Sequence, residues 1–272
     1  MGTDLEASAW VMERVALAMR IPQLLLEREA VRDKPWTRRE VRSTVRALVD
    51  QGRLMYTYEL GTSFLEGCYS GVSRLGERIV TIPPTHSYKP RQGEVPVVMS
   101  QGASFGSGRH PTTRLAVRAI EQVLSPEGEV EPRPGKWVLD VGTGTGILAL
   151  AALKLGMDKA LCTDIDPCAL FETRENARLN GLSDSLTASD IPISEIRGDF
   201  FLVLANLRLP TLLKAMPVFM RIITKPGFLI VSGIQVHETD TLEQCAQEHG
   251  FSLQDLRTEQ KWASMIFFSD QP

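Results

Sequence analysis

The stretch VLDVGTGTGILALAALKLG, residues 138–156, places three glycines within five positions, between an apolar run and a run with the composition of a helix. Residues 137–141, WVLDV, predict a buried β-strand, and the loop 142–146 leaves its carboxyl end. Glycine is unfavourable inside regular structure, but it permits a tight turn and lets a ligand approach the backbone. The stretch therefore predicts a strand–loop–helix unit with a ligand site at the end of the strand.

Strand-like and helix-like segments alternate through the rest of the chain. Apolar runs that predict strands occupy 136–142, 159–166, 185–190, 200–207, 227–234 and 262–269. Helical patterns separate most of them, at 145–156, 167–181, 210–223 and 237–250. Repeated β-α units imply a parallel sheet, and runs without polar alternation imply burial on both faces. The expected fold is therefore a doubly wound α/β domain, with ligands bound at the carboxyl ends of its strands.

The glycine loop excludes two common phosphate-binding motifs. The P-loop pattern G-x-x-x-x-G-K-[ST] is absent, and the dinucleotide pattern G-x-G-x-x-G fails because its sixth position is Ile147. The spacing that fits is D-x-G-x-G-x-G, and Asp164 follows Gly142 by 22 residues, at the end of the next predicted strand. A carboxylate at that place can accept hydrogen bonds from ribose hydroxyls. Together these features resemble the class I S-adenosylmethionine-dependent methyltransferases, which implies that cofactor.

A second segment makes the resemblance more specific. GASFGSGRHPTTRLAV, residues 102–117, is similar to the F-G-[ST]-G-x-H-P-T-T segment of the PrmA-type methyltransferases, bacterial enzymes that methylate amines of a ribosomal protein. TDIDP, ENARLNG, LANL, PGFLIVSGI and a late KW follow in the family's order. The likeness spans about residues 76–272 and implies a mostly parallel, seven-stranded Rossmann-like sheet.

The resemblance also implies the site residues. Those expected at the reacting groups are Asn206, His110 and Phe105. Those expected at the cofactor are Thr112, Thr113, Asp140, Gly142, Thr143, Gly144, Gly146, Asp164, Ile165, Asp190 and Asn206.

Elementary chemistry makes several of these assignments reasonable. Thr112 and Thr113 begin a helix after Pro111, where hydroxyls and amides can hold a carboxylate; a simple capping turn is the alternative. The Asn206 carbonyl is suited to orient the lone pair of an amine. His110 is a hydrogen-bond donor or, alternatively, a general base.

Two positions depart from the family pattern. Phe201 stands five residues before Asn206, where the family usually has an acidic residue. Arg208 follows the NL pair, where a small or apolar residue is usual, and it brings a cation near the acceptor pocket.

The first 75 residues have a different character. WTRREVRSTVRALVDQG predicts a helix with Thr37 and Glu40 as a capping box, and RLMYTYELGTSFLEG predicts a hairpin. Helical spacing over 5–20 and the segment PQLLLEREAV, with Pro22 in its first turn, predict two more helices. Three helices and a hairpin resemble a winged helix-turn-helix. The sequence therefore predicts a small α+β domain at 1–75, a linker and strand at 76–100, and the methyltransferase domain at 101–272.

The N-terminal domain leaves the partner open. Arg38, Arg42 and Arg46 recur at one-turn intervals, so this helix face can meet the phosphates of a nucleic acid. The alternative is a solvated face on a protein-docking module. PrmA-type enzymes carry their own α/β recognition domain at this end. The ribosomal substrate therefore does not transfer automatically to this chain.

Bulk composition sets further bounds. The net charge of −3 over 272 residues does not favour a nucleic-acid binder as a whole, and no apolar run is long enough to span a membrane. Four scattered cysteines and four unpaired histidines predict reduced thiols, a cytoplasmic protein and no metal site.

The expected function is methyl transfer from S-adenosylmethionine to the nitrogen of a protein amine such as a lysine or an N-terminus. One alternative is a methyltransferase of a small molecule or RNA, although NLRL lacks the N-P-P-[YF] typical of RNA adenine enzymes. Another is a DNA-binding regulator that senses the cofactor.

Overall fold

The chain divides into two compact units, Met1–Val72 and Ser73–Pro272. The computed structural model describes residues 2–18, 20–51, 53–59, 62–67, 72–100, 110–125 and 136–270.

The first unit combines three helices with a three-stranded antiparallel sheet of order β1-β3-β2. In chain order its elements are α1 (Gly2–Ala18), β1 (Arg20–Pro22), α2 (Gln23–Asp33), α3 (Arg38–Asp50), β2 (Leu54–Glu59) and β3 (Thr62–Gly67). Apolar side chains from all three helices and all three strands share one core, which includes Val11, Ile21, Leu26, Val45, Leu54 and Leu65. The three helices and the hairpin agree with the sequence, and the winged helix-turn-helix class stays a prediction.

The starts of helices α3 and α2 can be compared with the sequence-based predictions. The Thr37 side chain accepts a hydrogen bond from the Glu40 amide, and the Glu40 carboxylate accepts one from the Thr37 amide. The predicted capping box of α3 is therefore confirmed. Pro22 was expected in the first turn of α2, but it is the last residue of β1 and directly precedes the helix.

The second unit begins earlier than predicted. Residues 73–100 form a small sheet of β4 (Ser73–Arg74), β5 (Ile79–Ile82) and β6 (Val95–Val98), in which β5 and β6 are parallel. Leu75, Ile79, Val97 and Met99 are buried in the main core of this unit. The segment 76–100 is therefore an integral part of the second unit and not a linker, and the boundary follows residue 72 instead of 75 or 100.

A seven-stranded sheet of order β12-β13-β11-β10-β7-β8-β9 dominates the second unit. Six of its strands run in the same direction, and β13 runs in the opposite direction. The strands are β7 (Trp137–Val141), β8 (Lys159–Thr163), β9 (Leu186–Ser189), β10 (Phe200–Asn206), β11 (Ile223–Gln235), β12 (Ser252–Glu259) and β13 (Trp262–Ser269). The helices are α4 (Pro111–Val123), α5 (Ile147–Lys154), α6 (Pro167–Leu179), α7 (Leu209–Ile222) and α8 (Thr239–Glu248). The predicted doubly wound fold is confirmed.

Strand β10 shows why its sequence is apolar throughout. Leu202 and Leu204 belong to the buried cluster on one face of the sheet, while Val203 and Ala205 belong to the cluster on the other. Successive side chains of a strand point to opposite faces, so a strand covered on both sides has no polar alternation.

An aromatic contact replaces the acidic residue that the family usually has before β10's end. Phe201 is buried and packs edge to face against Phe228, with ring centroids 5.7 Å apart. The ammonium group of Lys136 lies 3.8 Å from the centroid of the Phe201 ring. A cation over an aromatic face is attracted by the ring quadrupole. Lys136 and Phe201 therefore contact each other at the N-terminal end of β10.

Candidate active site

Three adjacent strands deliver the principal site residues to one edge of the sheet. Val141 of β7 pairs with Ala205 of β10 on one side and with Thr163 of β8 on the other. The next residue of each strand is therefore Gly142, Asn206 or Asp164, and all three emerge side by side. The chain turns from β9 back to β10 across β7, so this edge is also the topological switch point of the sheet.

The glycine loop adopts conformations that favour glycine. The φ angles of Gly142, Gly144 and Gly146 are +68°, +58° and +81°. A Cβ atom on Gly142 would lie 2.5 Å from Cδ2 of Leu207, and one on Gly146 would lie 3.0 Å from Cγ2 of Thr173. The glycines are thus needed for the turn itself and for close packing against neighbouring elements.

Asp140 supports the loop from inside the protein. Its side chain is buried, and Oδ2 accepts hydrogen bonds from the Thr143 hydroxyl (2.8 Å) and the Ala149 amide (3.3 Å). Burial raises the pKa of Asp140 to about 7. These bonds make Asp140 and Thr143 a brace between β7, the loop and α5. The contact with the cofactor that the sequence predicted for both residues stays a prediction.

Asp164 faces the glycine loop and keeps part of its surface exposed. Oδ2 accepts a hydrogen bond from the Gly144 amide, and Oδ1 accepts one from the Asp166 amide, both at 3.0 Å. A carboxylate oxygen can accept more than one hydrogen bond, so Asp164 retains capacity for hydroxyl donors. Asp166 caps α6 through the Cys168 amide (2.9 Å), as the sequence predicted, which leaves Asp164 for another role.

Ile165, Asp190 and Ile191 lie at the same edge of the sheet as Asp164. Ile165 is 95% exposed, which is unusual for an isoleucine in a well-packed domain. Asp190 directly follows β9 and is exposed, and Ile191 beside it is 40% exposed. The sequence assigned Ile165 and Asp190 to the cofactor, and the structure places both after the carboxyl ends of neighbouring strands.

The start of α4 is occupied by a histidine cap. Nδ1 of His110 lies 2.7 Å from the Thr112 hydroxyl and accepts a hydrogen bond from the Thr112 amide, while the Thr113 amide donates to the His110 carbonyl. The two amides expected to hold a ligand carboxylate are therefore already bonded. Burial, with the nearby charges of Arg114 and Lys261, lowers the pKa of His110.

Thr113 differs from Thr112. Its side chain is fully buried, and within the described parts of the chain its hydroxyl has no hydrogen-bond partner. Buried hydroxyl groups are nearly always bonded, so this one retains capacity for a further partner.

Asn206 ends β10 with its side chain half-buried. Among the residues that the structure describes, none forms a hydrogen bond with the side-chain amide of Asn206. Gly233 of β11 lies against it: a Cβ there would be 2.9 Å from Oδ1 of Asn206 and 2.6 Å from the carbonyl oxygen of Leu207. Arg208, two residues after Asn206, is exposed, so its charge is solvated.

Three predicted residues cannot be placed in the site, and one residue near the site was not predicted. Phe105, Gly106 and Gly108 fall within 101–109, outside the described residues. Trp262 was not predicted as a site residue, yet its ring packs edge to face on His110 with centroids 4.9 Å apart. The KW pair before the last strand was the only sequence signal for it.

The described residues hold no cluster of three or more histidine, cysteine or acidic side chains suited to a metal ion. No helix within the described ranges is long and apolar enough to cross a membrane. Cys162, Cys168 and Cys245 are free thiols, and Cys68 lies outside the described residues.

Comparisons with known proteins agree on one family. The family model described as "Ribosomal protein L11 methyltransferase (PrmA)" matches residues 69–269. A protein of that name from Geobacter metallireducens is 35% identical over 199 residues, which are 73% of this chain and 63% of the relative. The one from Thermotoga maritima is 34% identical over 69% of this chain and 67% of its own length.

A solved structure extends the similarity to three dimensions. The ribosomal protein L11 methylase from Lactobacillus delbrueckii subsp. bulgaricus superposes with a TM-score of 0.65 and 29% identity, covering 74% of this chain and 99% of that one. The chain spans just under two thirds of the length of the Geobacter relative. Residues before 69 lie outside the match. From residue 69 to 269, sequence and fold agree that the chain belongs to the ribosomal protein L11 methyltransferase (PrmA) family.

Proposed function

We propose that the chain is an S-adenosylmethionine-dependent methyltransferase that methylates the nitrogen of a protein amine, with a ribosomal protein as the first candidate. The observation that carries this proposal is the convergence of Gly142, Asp164 and Asn206 at one sheet edge. The relatives' names supply the class of acceptor. An acceptor of that class implies a cytoplasmic enzyme.

The residues present fit the cofactor. Asp164 has acceptor capacity for the two ribose hydroxyls, and the exposed Ile165 offers apolar surface for the flat base. The hydroxyl of Thr113, which has no partner among the described residues, is a donor for the carboxylate of the amino-acid portion. We assign the acceptor amine to Asn206, whose amide group is unengaged among the described residues.

The chain's own residues would align the acceptor and handle its proton. The cofactor, when bound, supplies an electrophilic methyl group on a sulfonium. Asn206 then orients the amine lone pair, a geometric contribution that can account for much of a rate enhancement. The lowered pKa of His110 keeps its imidazole neutral at pH 7, so it can hydrogen-bond to the neutral amine and, after the methyl group has moved from sulfur to nitrogen, accept the proton that the product ammonium releases. The acceptor must still arrive as a neutral amine.

The test uses purified protein, methyl-labelled S-adenosylmethionine and a ribosomal-protein fraction. The expected result is label on a lysine or N-terminal amine of one protein, located by mass spectrometry. Asn206→Ala should lower kcat at least tenfold with little change in cofactor affinity, because it acts on the acceptor. Label appearing only on RNA or small molecules would reject the protein acceptor. The absence of any transfer, together with no cofactor binding, would reject the function.

A second candidate role concerns the first unit. Arg38 and Arg46 are exposed on α3, and a row of arginines can bind nucleic-acid phosphates. Arg42 is less suited, because both its Nε and Nη2 atoms donate to the carboxylate of the buried Glu27, at 2.8 and 2.9 Å. We therefore assign this role to Arg38 and Arg46. Fluorescence anisotropy with duplex DNA and RNA over a salt series tests it: a salt slope that Arg46→Ala leaves unchanged would exclude this face.

A further inference from the structure

Helix α6 carries a buried polar stripe that the function described so far does not use. Thr173 and Asn176 are three residues apart, so they share one face of the helix, and Asn180, four residues further on, is the half-buried C-cap of α6. Thr173 and Asn176 are 0% and 1% exposed. Buried polar side chains are costly unless each finds a partner, so the stripe requires an explanation.

The partners of Thr173 and Asn176 are the glycine loop, which is assigned to the cofactor, and Ser100. The Thr173 hydroxyl donates to the Gly144 carbonyl, and Nδ2 of Asn176 donates to the Thr145 carbonyl, both at 2.9 Å. Oδ1 of Asn176 accepts hydrogen bonds from the amide and the hydroxyl of Ser100, both at 2.8 Å.

The glycine loop is therefore held from two sides. Asp164 accepts from the Gly144 amide, while Thr173 and Asn176 donate to the carbonyls of Gly144 and the residue after it. Each of the three successive peptide planes between Thr143 and Gly146 carries one of these hydrogen bonds, so none of the planes can rotate without losing one. The orientation of the loop amides toward the cofactor edge thus depends on α6.

Asn176 also joins two parts of the chain. Ser100 directly precedes residues 101–109, which include Phe105, while the Thr145 carbonyl belongs to the glycine loop. Asparagine presents a carbonyl acceptor and an amide donor on one short, rigid group, so it can hold both segments at a fixed spacing. Neither aspartate nor alanine can make both contacts.

We propose that Asn176 is a positioning residue for cofactor binding: it fixes the glycine loop relative to the segment at Ser100. The proposal rests on the proposed function, since it concerns the same cofactor. Asn176 touches neither cofactor nor acceptor in this role; it acts through the backbone of the loop. Its loss should therefore weaken cofactor binding and spare the turnover rate at saturating cofactor.

The test compares two isosteric substitutions, one inside α6 and one at its C-cap. Asn176→Asp keeps the acceptor for Ser100 but places a second oxygen against the Thr145 carbonyl. Asn180→Asp makes the same chemical change where the partner outside the helix is the backbone of Val98, which Asn180 contacts at 2.9 and 2.7 Å. Binding of S-adenosylhomocysteine is measured by calorimetry, and KM and kcat by label transfer.

We expect Asn176→Asp to raise the dissociation constant at least tenfold, the factor produced by a loss of about 1.4 kcal/mol. KM for the cofactor should rise equally, and kcat should change less than about twofold. Asn180→Asp should change the dissociation constant less than about threefold. A folded Asn176→Asp protein that binds like the wild type would overturn the proposal.

A second pair covers the case in which Asn176→Asp does not fold. Thr173→Val removes the hydroxyl donor to Gly144 at nearly constant volume, and Thr173→Ser retains it. Weak binding by the valine variant with recovery by the serine variant supports anchoring from α6, and equal binding by both contradicts it. A wild-type protein that binds no S-adenosylhomocysteine would instead refute the proposed function.

Discussion

The carboxylate of Asp164 accepts a hydrogen bond from the backbone amide of Gly144 at 3.0 Å, across the gap between the ends of β8 and β7. The residue proposed to bind the ribose therefore also holds the glycine loop in place before any ligand arrives. A charged acceptor bonded to a backbone amide is stronger than a neutral pair. Loop and carboxylate form one preorganised element.

Asp164→Ala should weaken S-adenosylhomocysteine binding at least tenfold, because it removes the ribose acceptor and one restraint on the loop. Calorimetry measures the change. Asp184→Ala is the control, since Asp184 is an exposed carboxylate at the other end of the sheet, before β9. Unchanged binding in Asp164→Ala would reject the ribose assignment.

Asp140 should make the stability of the second unit depend on pH. Burial raises its pKa in the folded protein to about 7, above the value of about 3.9 in an unfolded chain. Between these values the folded state binds more protons, so its contribution to stability falls as pH rises from about 4 to about 7. Urea unfolding of Asp140→Asn, which can keep an acceptor for Thr143, should lack that part of the slope. A variant with the wild-type slope would contradict this prediction.

Gly233→Ala should destabilise the protein more than Gly93→Ala. Both glycines have positive φ, +86° and +85°, so an alanine at either position costs about 1–2 kcal/mol in backbone conformational energy. A Cβ on Gly93 meets nothing within 4 Å, whereas one on Gly233 lies 2.6 Å from the backbone oxygen of Leu207. Free energies of unfolding from urea titrations give the difference. Equal losses would show that the close approach to Leu207 is easily relieved.

Arg42→Gln should destabilise the first unit, while Arg46→Gln should not. Burial alone would raise the pKa of Glu27, but the hydrogen bonds from Arg42 and Gln23 hold it below its usual value. Removing the Arg42 partner leaves a buried carboxylate short of donors, at a cost of about 1–3 kcal/mol. Arg46 forms no ion pair among the described residues, so its change should stay within about 0.5 kcal/mol. Unfolding followed through the tryptophans of this unit measures both.

The sheet could be predicted where burial leaves a clear pattern. The seven residues of β10 are almost wholly apolar because the strand is covered on both faces. Strand β12 has no such pattern: SLQDLRTE is largely polar because the strand lies at the edge of the sheet. Strands β5 and β6 were harder to predict, because the connection between them contains Pro83, Pro84 and Pro90.

The sequence predicted where the site residues lie better than it predicted what each side chain does. Strand ends and glycine spacing locate Gly142, Asp164 and Asn206 at one edge, but spacing cannot tell a carboxylate that faces a ligand from one that braces the loop, as Asp140 does. The bonding of the Thr112 amide to its neighbour His110 depends on side-chain rotamers. Asn176 was overlooked because an asparagine on an amphipathic helix usually faces solvent.

The small sheet at 73–100 determines how this protein can be cut into fragments. Leu75, Ile79 and Val97 are packed in the same cluster as Ile120 and Leu148, so a fragment that starts at residue 101 would expose the apolar surface beneath them. Such a fragment would be prone to aggregate and would also lack the residue that Asn176 holds. A fragment that begins at residue 73 keeps the cluster whole, and it is the natural starting point for expressing the second unit without the first.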